Sequence, residues 1–251
     1  MAWENEARQF ADEGWAVFEG ALAGELLELL REHCDRFVAR EDARMAAAGV
    51  DQLGLSHRGK RYFANECQRE IPALRRMLFS PVMAEVCAAT LGPDAYFFLD
   101  QYVVKGAEEG LAFGWHQDSG YVVGNGGPEH PAYLTCWCPL DDVTAENGTV
   151  RLVPFSAAPS SREIIQHRRT GAGDLVVDAA EDRAVTVPAK AGDVVVFSSR
   201  LLHATGPNQT PNLRRVYLAQ YTPQPLLDAS GRHLRRNAIA FLRDGRQVTH
   251  G

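Results

Sequence analysis

The chain has 251 residues, of which 45% are hydrophobic and 23% are charged, and its 26 basic and 32 acidic side chains give a formal net charge of −6. These proportions are typical of a globular protein and exclude an intrinsically disordered chain. The acidic balance argues against a general nucleic-acid binder, which needs basic side chains to neutralise phosphates. The length fits one large domain, and we expect a single domain over residues 1–251.

The sequence predicts no membrane segment and no secretory signal. No stretch reaches the roughly 18 to 20 apolar residues that a membrane-spanning helix requires. The first residues lack a basic segment followed by an apolar one, so the cytoplasm is the default location. The five cysteines are odd in number and form no regular framework, which favours reduced thiols. Among them, Cys67 has polar neighbours and is a candidate for exposure.

The N-terminal part, about residues 1–93, is predicted to be helical. Apolar residues recur at three- and four-residue steps between Leu22 and Phe37, as they do in an amphipathic helix. Pro72 and Pro81 are start signals for two further helices. The residues predicted to open the helical region are Phe10, Trp15, Val17 and Phe18.

After residue 94, and up to about residue 223, the pattern changes to short β-branched or aromatic runs separated by Gly, Pro, Asn and Asp. Such runs predict β-strands. The number and spacing of these strands favour a sandwich or jelly roll with helices packed on one side. The predicted strands cover residues 95–99, 102–104, 132–137, 149–153, 184–187, 194–197 and 215–219.

Three side chains are candidates for one metal site. In an extended strand, residues i and i+2 face the same side, so His116 and Asp118 would present an imidazole and a carboxylate to one ion. His203, at the end of the predicted apolar strand 194–202, offers a third ligand. The three form the two-histidine, one-carboxylate set of non-haem Fe(II) oxygenases, which leaves adjacent coordination positions open. Taken singly, each is more often a solvent-exposed residue of a strand.

Arg214 and Arg215 begin the next predicted strand. The connection before them is rich in Gly, Pro and Asn, which predicts a hairpin with the His203 strand. One of the two guanidinium groups could then point inward beside the metal and bind a carboxylate through two parallel hydrogen bonds. Two solvated arginines on a sheet edge are the alternative. Thr205 could assist through a hydroxyl hydrogen bond, and Asn208 could fix the turn.

Several segments form a recognisable combination when they are taken together: residues 115–121 (WHQDSGY), 139–148 (PLDDVTAENG) with 153–154 (VP), 203–210 (HATGPNQT), and Arg214. This combination resembles the phytanoyl-CoA dioxygenase family, whose members are Fe(II)- and 2-oxoglutarate-dependent oxygenases. The resemblance covers nearly the whole chain. It implies a mainly β fold with flanking helices, in which N-terminal helices pack on one sheet of a double-stranded β-helix, or cupin-like jelly roll. One departure is Pro154-Phe155-Ser156-Ala157, where the family usually carries proline-glycine-serine-histidine.

The resemblance also implies roles for individual residues. His116, Asp118 and His203 would be the iron ligands, and Arg214 would bind the distal carboxylate of 2-oxoglutarate, with Thr205 beside it. The implied reaction is the hydroxylation, or another oxidation, of a small molecule by O2, with conversion of 2-oxoglutarate to succinate and CO2. Related iron halogenases replace the carboxylate ligand with a small residue, so an aspartate favours hydroxylation. Further contacts with the cosubstrate are implied for Gln117, Trp137, Gln101 and Arg61.

A cupin-type hydrolase or isomerase is the alternative class of function. The same three side chains suit Zn(II), which would activate water instead of O2. Arg214 argues against this alternative, because a buried guanidinium needs an anionic partner and 2-oxoglutarate supplies one.

Features outside these motifs bear on the substrate. Three segments are expected to shape the substrate pocket: residues 45–63, the glycine-rich loop 120–131 and the tail after Tyr221. Two basic clusters are either solvated faces or a mouth that attracts an anionic substrate. The sequence therefore predicts a small-molecule substrate, leaves open whether it is anionic, and leaves the oligomeric state open. The clusters are Arg162, Arg168 and Arg169, and Arg232, Arg235 and Arg236.

Overall fold

The computed structural model describes residues 3–108, 110–124, 129–170, 173–179, 181–226, 230, 232 and 237–249. The helices are α1 (Glu4–Glu13), α2 (Glu25–Ala48), α3 (Cys67–Glu70), α4 (Arg75–Leu78), α5 (Pro81–Thr90) and α6 (Asp118–Gly124), with 3-10 turns at Pro72–Leu74, Pro159–Arg162 and Glu181–Arg183. The first strands are β1 (Trp15–Phe18), β2 (Gln52–Leu53), β3 (Ser56–His57), β4 (Arg61–Asn65), β5 (Ala95–Lys105), β6 (Phe113–His116), β7 (Leu134–Pro139) and β8 (Val150–Val153). The remaining strands are β9 (Arg168–Arg169), β10 (Leu175–Val176), β11 (Val185–Thr186), β12 (Val194–Ser198), β13 (Leu202–Thr205), β14 (Arg214–Thr222), β15 (Ile239–Arg243) and β16 (Arg246–Gln247).

These strands form a large sheet and a small sheet that share a core. The large sheet has the order β1-β12-β7-β14-β5-β4-β3-β2, and β15 also pairs with β5 and β16. The small sheet has the order β11-β8-β13-β6, and β9 and β10 form a separate hairpin. Val103 and Trp137 of the large sheet belong to the same buried cluster as Val150 and Leu152 of the small sheet. This arrangement confirms the predicted mainly β jelly roll with flanking helices.

The large sheet separates two cores, because successive side chains of a strand point to opposite faces. On β7, Cys136 and Cys138 pack in the core that faces the helices, whereas Trp137 packs toward the small sheet. The helical side of the sheet is covered by α2, which contributes Leu30 and Cys34 to that core. The functional residues described below lie on the other side, between the two sheets.

Parts of the region predicted to be helical are strands instead. Trp15–Phe18 forms β1, which pairs with β12, and residues 52–65 contain β2, β3 and β4. Burial in β1 alternates, with Ala16 and Phe18 fully buried, so its apolar residues follow a strand period that the helical prediction overlooked. The expected exposure of Cys67 is also wrong, because this side chain is only 6% exposed and packs in the helix-side core.

The path around His203 differs from the predicted hairpin. The apolar run 194–202 is two strands, β12 in the large sheet and β13 in the small sheet. Residues 198–201 turn the corner between them, where Ser199 donates its backbone N–H to the carbonyl of Tyr133 at 2.7 Å. Strand β14 then pairs with β5 and β7 and not with β13. The histidine and Arg214 therefore come from opposite sheets.

Asp100, on the helix side of β5, predicts an unusual pH dependence of stability. Its side chain is fully buried, and one carboxylate oxygen accepts hydrogen bonds from Tyr217 Oη and from the backbone of Gln68, both at 2.8 Å. Burial raises the pKa of Asp100 from 3.8 to about 6. Between about pH 4 and about pH 6, the folded state therefore holds a proton that the unfolded state has lost. The free energy of unfolding falls as pH rises through this interval.

We expect Asp100→Asn to be more stable than the wild type at pH 7.5, by about 1–2 kcal/mol, and to lose this pH dependence. The measurement is urea denaturation at pH 4.5 and pH 7.5, with Asp51→Asn on the exposed surface as the control. A variant that is less stable than the wild type at pH 7.5 would show that the charged carboxylate is well compensated.

Candidate metal and cosubstrate site

Three side chains converge between the sheets at the end of β6. His116 is the last residue of β6, Asp118 is the first residue of α6, and His203 lies on β13 directly opposite His116. One potential ligand atom from each of the three lies within 4.8 Å of the others. The side chains are 12%, 13% and 7% exposed, respectively. Such a set of two imidazoles and one carboxylate has the composition and the spacing of a metal site.

Backbone carbonyls orient both imidazoles. Nδ1 of His116 lies 2.7 Å from the carbonyl oxygen of Gly114, and Nδ1 of His203 lies 3.0 Å from that of Leu201. Since a carbonyl only accepts hydrogen bonds, each Nδ1 carries the proton and each Nε2 keeps a free lone pair. Burial and the adjacent His203 lower the pKa of His116 below its ordinary value of 6.5. The histidine is therefore neutral at neutral pH, as metal coordination requires.

The carboxylate of Asp118 is held by two residues that the sequence reasoning missed. Its Oδ1 lies 3.8 Å from Nε2 of His116 and 3.6 Å from Nε2 of His203. Its Oδ2 accepts hydrogen bonds from Thr135 Oγ1 at 2.5 Å and from Gln220 Nε2 at 3.0 Å. One oxygen is thus fixed while the other faces the histidines. Polar residues at inward positions of otherwise apolar strands were the signal that could have revealed both partners.

Arg214 provides a buried cation with free hydrogen-bond donors. Its side chain is 1% exposed, and Nη1 lies 3.4 Å from the carbonyl oxygen of Val103. Nε and Nη2 of Arg214 and Oγ1 of Thr205 are all buried without a hydrogen-bond partner among the described residues. The guanidinium lies 5.6 Å from the ring of Trp137. Burial lowers the pKa of Arg214 to about 9, so the side chain remains cationic at neutral pH and still needs an anion.

Arg61 and Gln101 lie on neighbouring strands of the large sheet, on the face that looks toward the small sheet. Arg61 on β4 is opposite Lys105 of β5, and Gln101 of β5 is opposite Leu218 of β14. The Arg61 guanidinium is 3% exposed and lies 3.5 Å from the carboxylate of Asp174. It is therefore already paired with an acidic residue that the sequence reasoning did not select.

The structure places Gln117 away from the ligand set. Its side chain points to the segment 161–165, where Nε2 donates to the carbonyls of Ser161 at 3.1 Å and Glu163 at 2.8 Å. Its Oε1 accepts from the backbone of Ile165 at 2.8 Å, and the carbonyl of Arg200 is another acceptor for Nε2. The implied contact with the cosubstrate does not fit this placement, because residue 117 lies between the end of β6 and the start of α6 and its amide is fully used by backbone groups of the segment 161–165 and of Arg200.

We therefore expect Gln117→Leu to act on stability and not on cosubstrate binding. Loss of the amide leaves one buried and three partly buried backbone groups without this partner and lowers the free energy of unfolding by about 2–4 kcal/mol. Denaturant unfolding measures this loss, and the exposed Gln166→Leu of the same segment is the matched control. A variant with unchanged stability and weaker 2-oxoglutarate binding would restore the direct contact.

The β9-β10 hairpin covers the segment that carries the metal ligands. Val177, which follows β10, donates its backbone N–H to the carbonyl of Trp115 at 2.8 Å, and the backbone of Leu175 donates to Tyr121 Oη at 3.1 Å. Arg168 and Arg169 of the hairpin are exposed. Of the second predicted basic cluster, Arg235 and Arg236 lie outside the described residues, as do residues 125–128 of the glycine-rich loop and parts of the C-terminal tail.

No helix in the described part of the chain is both long and apolar enough to cross a membrane.

Proteins of known sequence that resemble this chain are oxygenases by name. A phytanoyl-CoA dioxygenase domain-containing protein 1 homolog from Dictyostelium discoideum is 28% identical over 130 residues, which are 48% of this chain and 44% of that protein. L-proline trans-4-hydroxylase from Streptomyces griseoviridis is 26% identical over 166 residues, which are 58% of this chain and 61% of that protein. The matches therefore span only about half of the length of these curated relatives.

Solved structures extend the likeness of fold over almost the whole chain. The non-heme alpha ketoglutarate dependent epimerase SnoN from nogalamycin biosynthesis superposes with a TM-score of 0.70 at 21% identity, covering 99% of this chain and 96% of that chain. EctD from S. alaskensis, solved with 2-oxoglutarate and 5-hydroxyectoine, gives 0.70 at 22% identity, covering 95% and 86%. Residues 10–216 match the family described as Phytanoyl-CoA dioxygenase (PhyH). With most of its length inside that match, this chain belongs to the phytanoyl-CoA dioxygenase family.

Proposed function

We propose that this protein is a non-haem Fe(II)- and 2-oxoglutarate-dependent dioxygenase that hydroxylates, or otherwise oxidises, a small molecule with release of succinate and CO2. The observation that carries the proposal is the pairing of a two-histidine, one-carboxylate cluster with a buried arginine that lacks an anion. Each half has its own chemical requirement, a metal for the first and a carboxylate for the second. A diacid that also chelates metal satisfies both.

The residues present fit an iron ion. His116, Asp118 and His203 would hold it, since two neutral imidazoles and one carboxylate are the facial set of such oxygenases. Thr135 and Gln220 would keep Asp118 in place through its second oxygen.

The residues around Arg214 fit 2-oxoglutarate. The free Nε and Nη2 of Arg214 and the hydroxyl of Thr205 supply donors for the distal carboxylate. We further propose Trp137 as a wall of this pocket, and Gln101 and Arg61 as polar groups on its inward face. For Arg61, this role requires the guanidinium to share or exchange its contact with Asp174.

When bound, iron and 2-oxoglutarate supply the means to activate O2 for oxidation of a C–H bond. The task of the chain is placement and exclusion of water. Phe197 packs against the ring of His203 with 4.6 Å between the centroids, and Trp137, Val195 and Leu218 line the same inner core. These apolar side chains restrict solvent on one side of the site.

A cupin-type hydrolase or isomerase remains the second candidate, because the same ligands suit zinc. In that function, Arg214 would stay buried with two donors that the described residues leave unsatisfied. That cost has no compensation in a zinc hydrolase, and we therefore favour the oxygenase.

The substrate is proposed to be a small molecule of anionic character. Two curated relatives carry the names L-proline trans-4-hydroxylase and ectoine dioxygenase, both of which name small molecules. Arg168 and Arg169 are exposed on the hairpin that covers the metal-ligand segment, where they can attract an anion. We propose neither a nucleic acid nor a membrane as partner.

We propose that residues 1–251 act as one oxygenase domain in the cytoplasm. The structure describes all five cysteines, and each is a buried free thiol, which suits a reducing compartment.

The test is production of succinate from 2-oxoglutarate under air with Fe(II) and ascorbate, compared with Zn(II), across a panel of small carboxylic acids, amino acids and neutral analogues. We expect succinate with iron only and faster turnover with the true substrate. Zinc-dependent turnover of any panel compound without succinate would favour the hydrolase or isomerase.

A further inference from the structure

Lys105 is a buried lysine at the distal end of the proposed cosubstrate pocket. It is the last residue of β5, and its side chain is fully buried. In the register of the sheet it lies directly opposite Arg214 on β14 and directly opposite Arg61 on β4. Directly opposite residues of antiparallel strands share a face, so three basic side chains meet at this position.

The ring of Phe113 lies among these side chains. Its centroid is 5.6 Å from Nζ of Lys105 and 5.0 Å from the guanidinium carbon of Arg61. The carboxylate of Asp174 contacts Arg61, at 3.5 Å. Arg215, next to Arg214 in sequence, is bound to Asp141 and Asp35. None of the described acidic side chains contacts the Lys105 amine.

The hydrogen bonds of Lys105 determine what each protonation state can do. Nζ donates to the backbone carbonyl of Thr205 at 3.3 Å and to that of Gly206. A neutral amine has two N–H groups, which these carbonyls use completely, and a lone pair that would repel an anion. An ammonium has three N–H groups, so one donor remains for a carboxylate.

In the free protein, the surroundings favour the neutral form. Burial, then Arg214, then Arg61 lower the pKa of Lys105 from 10.5 to about 5. A carboxylate placed beside Arg214 reverses this balance, because an adjacent anion stabilises the ammonium and offsets the nearby guanidinium charges.

Building on the proposed function, we propose that binding of a dicarboxylate is coupled to protonation of Lys105, which takes one proton from solvent and becomes a second cationic contact for the distal carboxylate beside Arg214. The 2-oxo acid end of the ligand would bind near the metal cluster and take no part in this protonation step. Selectivity for a diacid over a monoacid would then rest on two cations, one permanent and one formed only when the ligand is bound.

Proton uptake has a definite sign. Since the complex holds one more proton than its parts, the affinity for 2-oxoglutarate falls as pH rises, by about tenfold per pH unit above the pKa of the free lysine and below that of the complex. Because the buffer supplies the proton that the complex takes up, the observed binding enthalpy also contains the ionisation enthalpy of the buffer.

The experiment is calorimetric titration of 2-oxoglutarate into the full-length protein loaded with Mn(II), without O2, at pH 7.2 in PIPES and in Tris. The slope of the observed enthalpy against the buffer ionisation enthalpy gives the number of protons taken up, and we expect about one. A parallel titration uses 2-oxovalerate, which has a methyl group in place of the distal carboxylate. For this monoacid we expect weaker binding and no uptake.

Lys105→Met tests the assignment to this residue. We expect it to lose the proton uptake, to bind 2-oxoglutarate about tenfold more weakly at pH 7.2, and to show an affinity independent of pH. Lys190→Met is the matched control, because Lys190 is 79% exposed and pairs with Asp142 on the surface. The control should retain the wild-type slope and pH dependence.

The outcomes separate the two proposals. If 2-oxoglutarate binds the wild type with the same enthalpy in both buffers, the coupling is wrong and the oxygenase proposal stands. Uptake that persists in Lys105→Met, or that 2-oxovalerate reproduces, would also overturn the coupling. If 2-oxoglutarate does not bind at all, the proposed function itself fails. Should Lys105→Met not fold, the wild-type buffer slopes with the diacid and the monoacid still decide.

Discussion

Asp118→Gly is expected to abolish turnover, with a loss of more than about 100-fold. Replacement of groups that only orient a metal ligand typically costs 10- to 100-fold, and removal of the ligand itself should cost more. Asp118 is the carboxylate of the described His-Asp-His cluster, and its loss leaves two histidines and removes the acceptor shared by Thr135 and Gln220.

The measurement combines succinate production with Fe(II) affinity, so that a failure of chemistry is separated from a failure of binding. Asp182→Gly, on an exposed turn, is the control for the loss of a carboxylate. A variant that retains full turnover would remove Asp118 from the ligand set. Chlorination of the substrate by Asp118→Gly in chloride would instead show that the vacated position is open to an anion, as in the related halogenases that carry a small residue there.

Arg214→Met is expected to have opposite effects on stability and on cosubstrate affinity. A buried cation without an anion is costly, and methionine fills similar space without charge, so we expect the free energy of unfolding to rise by about 1 kcal/mol or more. Loss of a buried charged partner typically costs 2–5 kcal/mol in binding, so the Kd for 2-oxoglutarate should rise by at least about 30-fold.

Denaturant unfolding and titration of the Mn(II)-loaded protein measure the two effects. Arg215→Met is the neighbouring control, since its guanidinium is bound to Asp141 and Asp35 and should affect stability without changing the Kd. An Arg214→Met variant that binds 2-oxoglutarate normally would refute the assignment of the distal carboxylate to this arginine. A gain in the free energy of unfolding of the same variant would show that Arg214 is retained for function and not for folding.

The sequence identified residues by motif but not by the contacts between distant segments. His116, Asp118 and His203 stand in short motifs, and the structure brings them together because β6 and β13 are neighbours in the small sheet. The hairpin predicted for Arg214 was wrong, because the corner at residues 198–201 has no glycine or proline to indicate that the apolar run changes sheets. Thr135 joins the site only through this three-dimensional arrangement.

The unpredicted strands have a similar cause. Burial in Trp15–Phe18 alternates over four residues, which is too short a run to distinguish a strand from one turn of the helical pattern before it. Pairing with β12 stabilises the extended conformation of this segment over a helical one, and β12 lies about 180 residues further along the chain. The ion pair of Arg61 with Asp174 and the register of Lys105 with Arg214 likewise depend on segments far apart in the sequence.

The origin of the ligand set gives the metal a mechanical role as well as a chemical one. Both histidines belong to the small sheet, whereas the second oxygen of Asp118 is anchored to Thr135 and Gln220 of the large sheet. An ion bound by His116, Asp118 and His203 would therefore link the two sheets to each other. At a free metal concentration of about 100 times the Kd, binding of the ion should add about 2.7 kcal/mol to the free energy of unfolding. Removal of the metal by a chelator should therefore lower the free energy of unfolding by the same amount and weaken the link between the two sheets at Asp118.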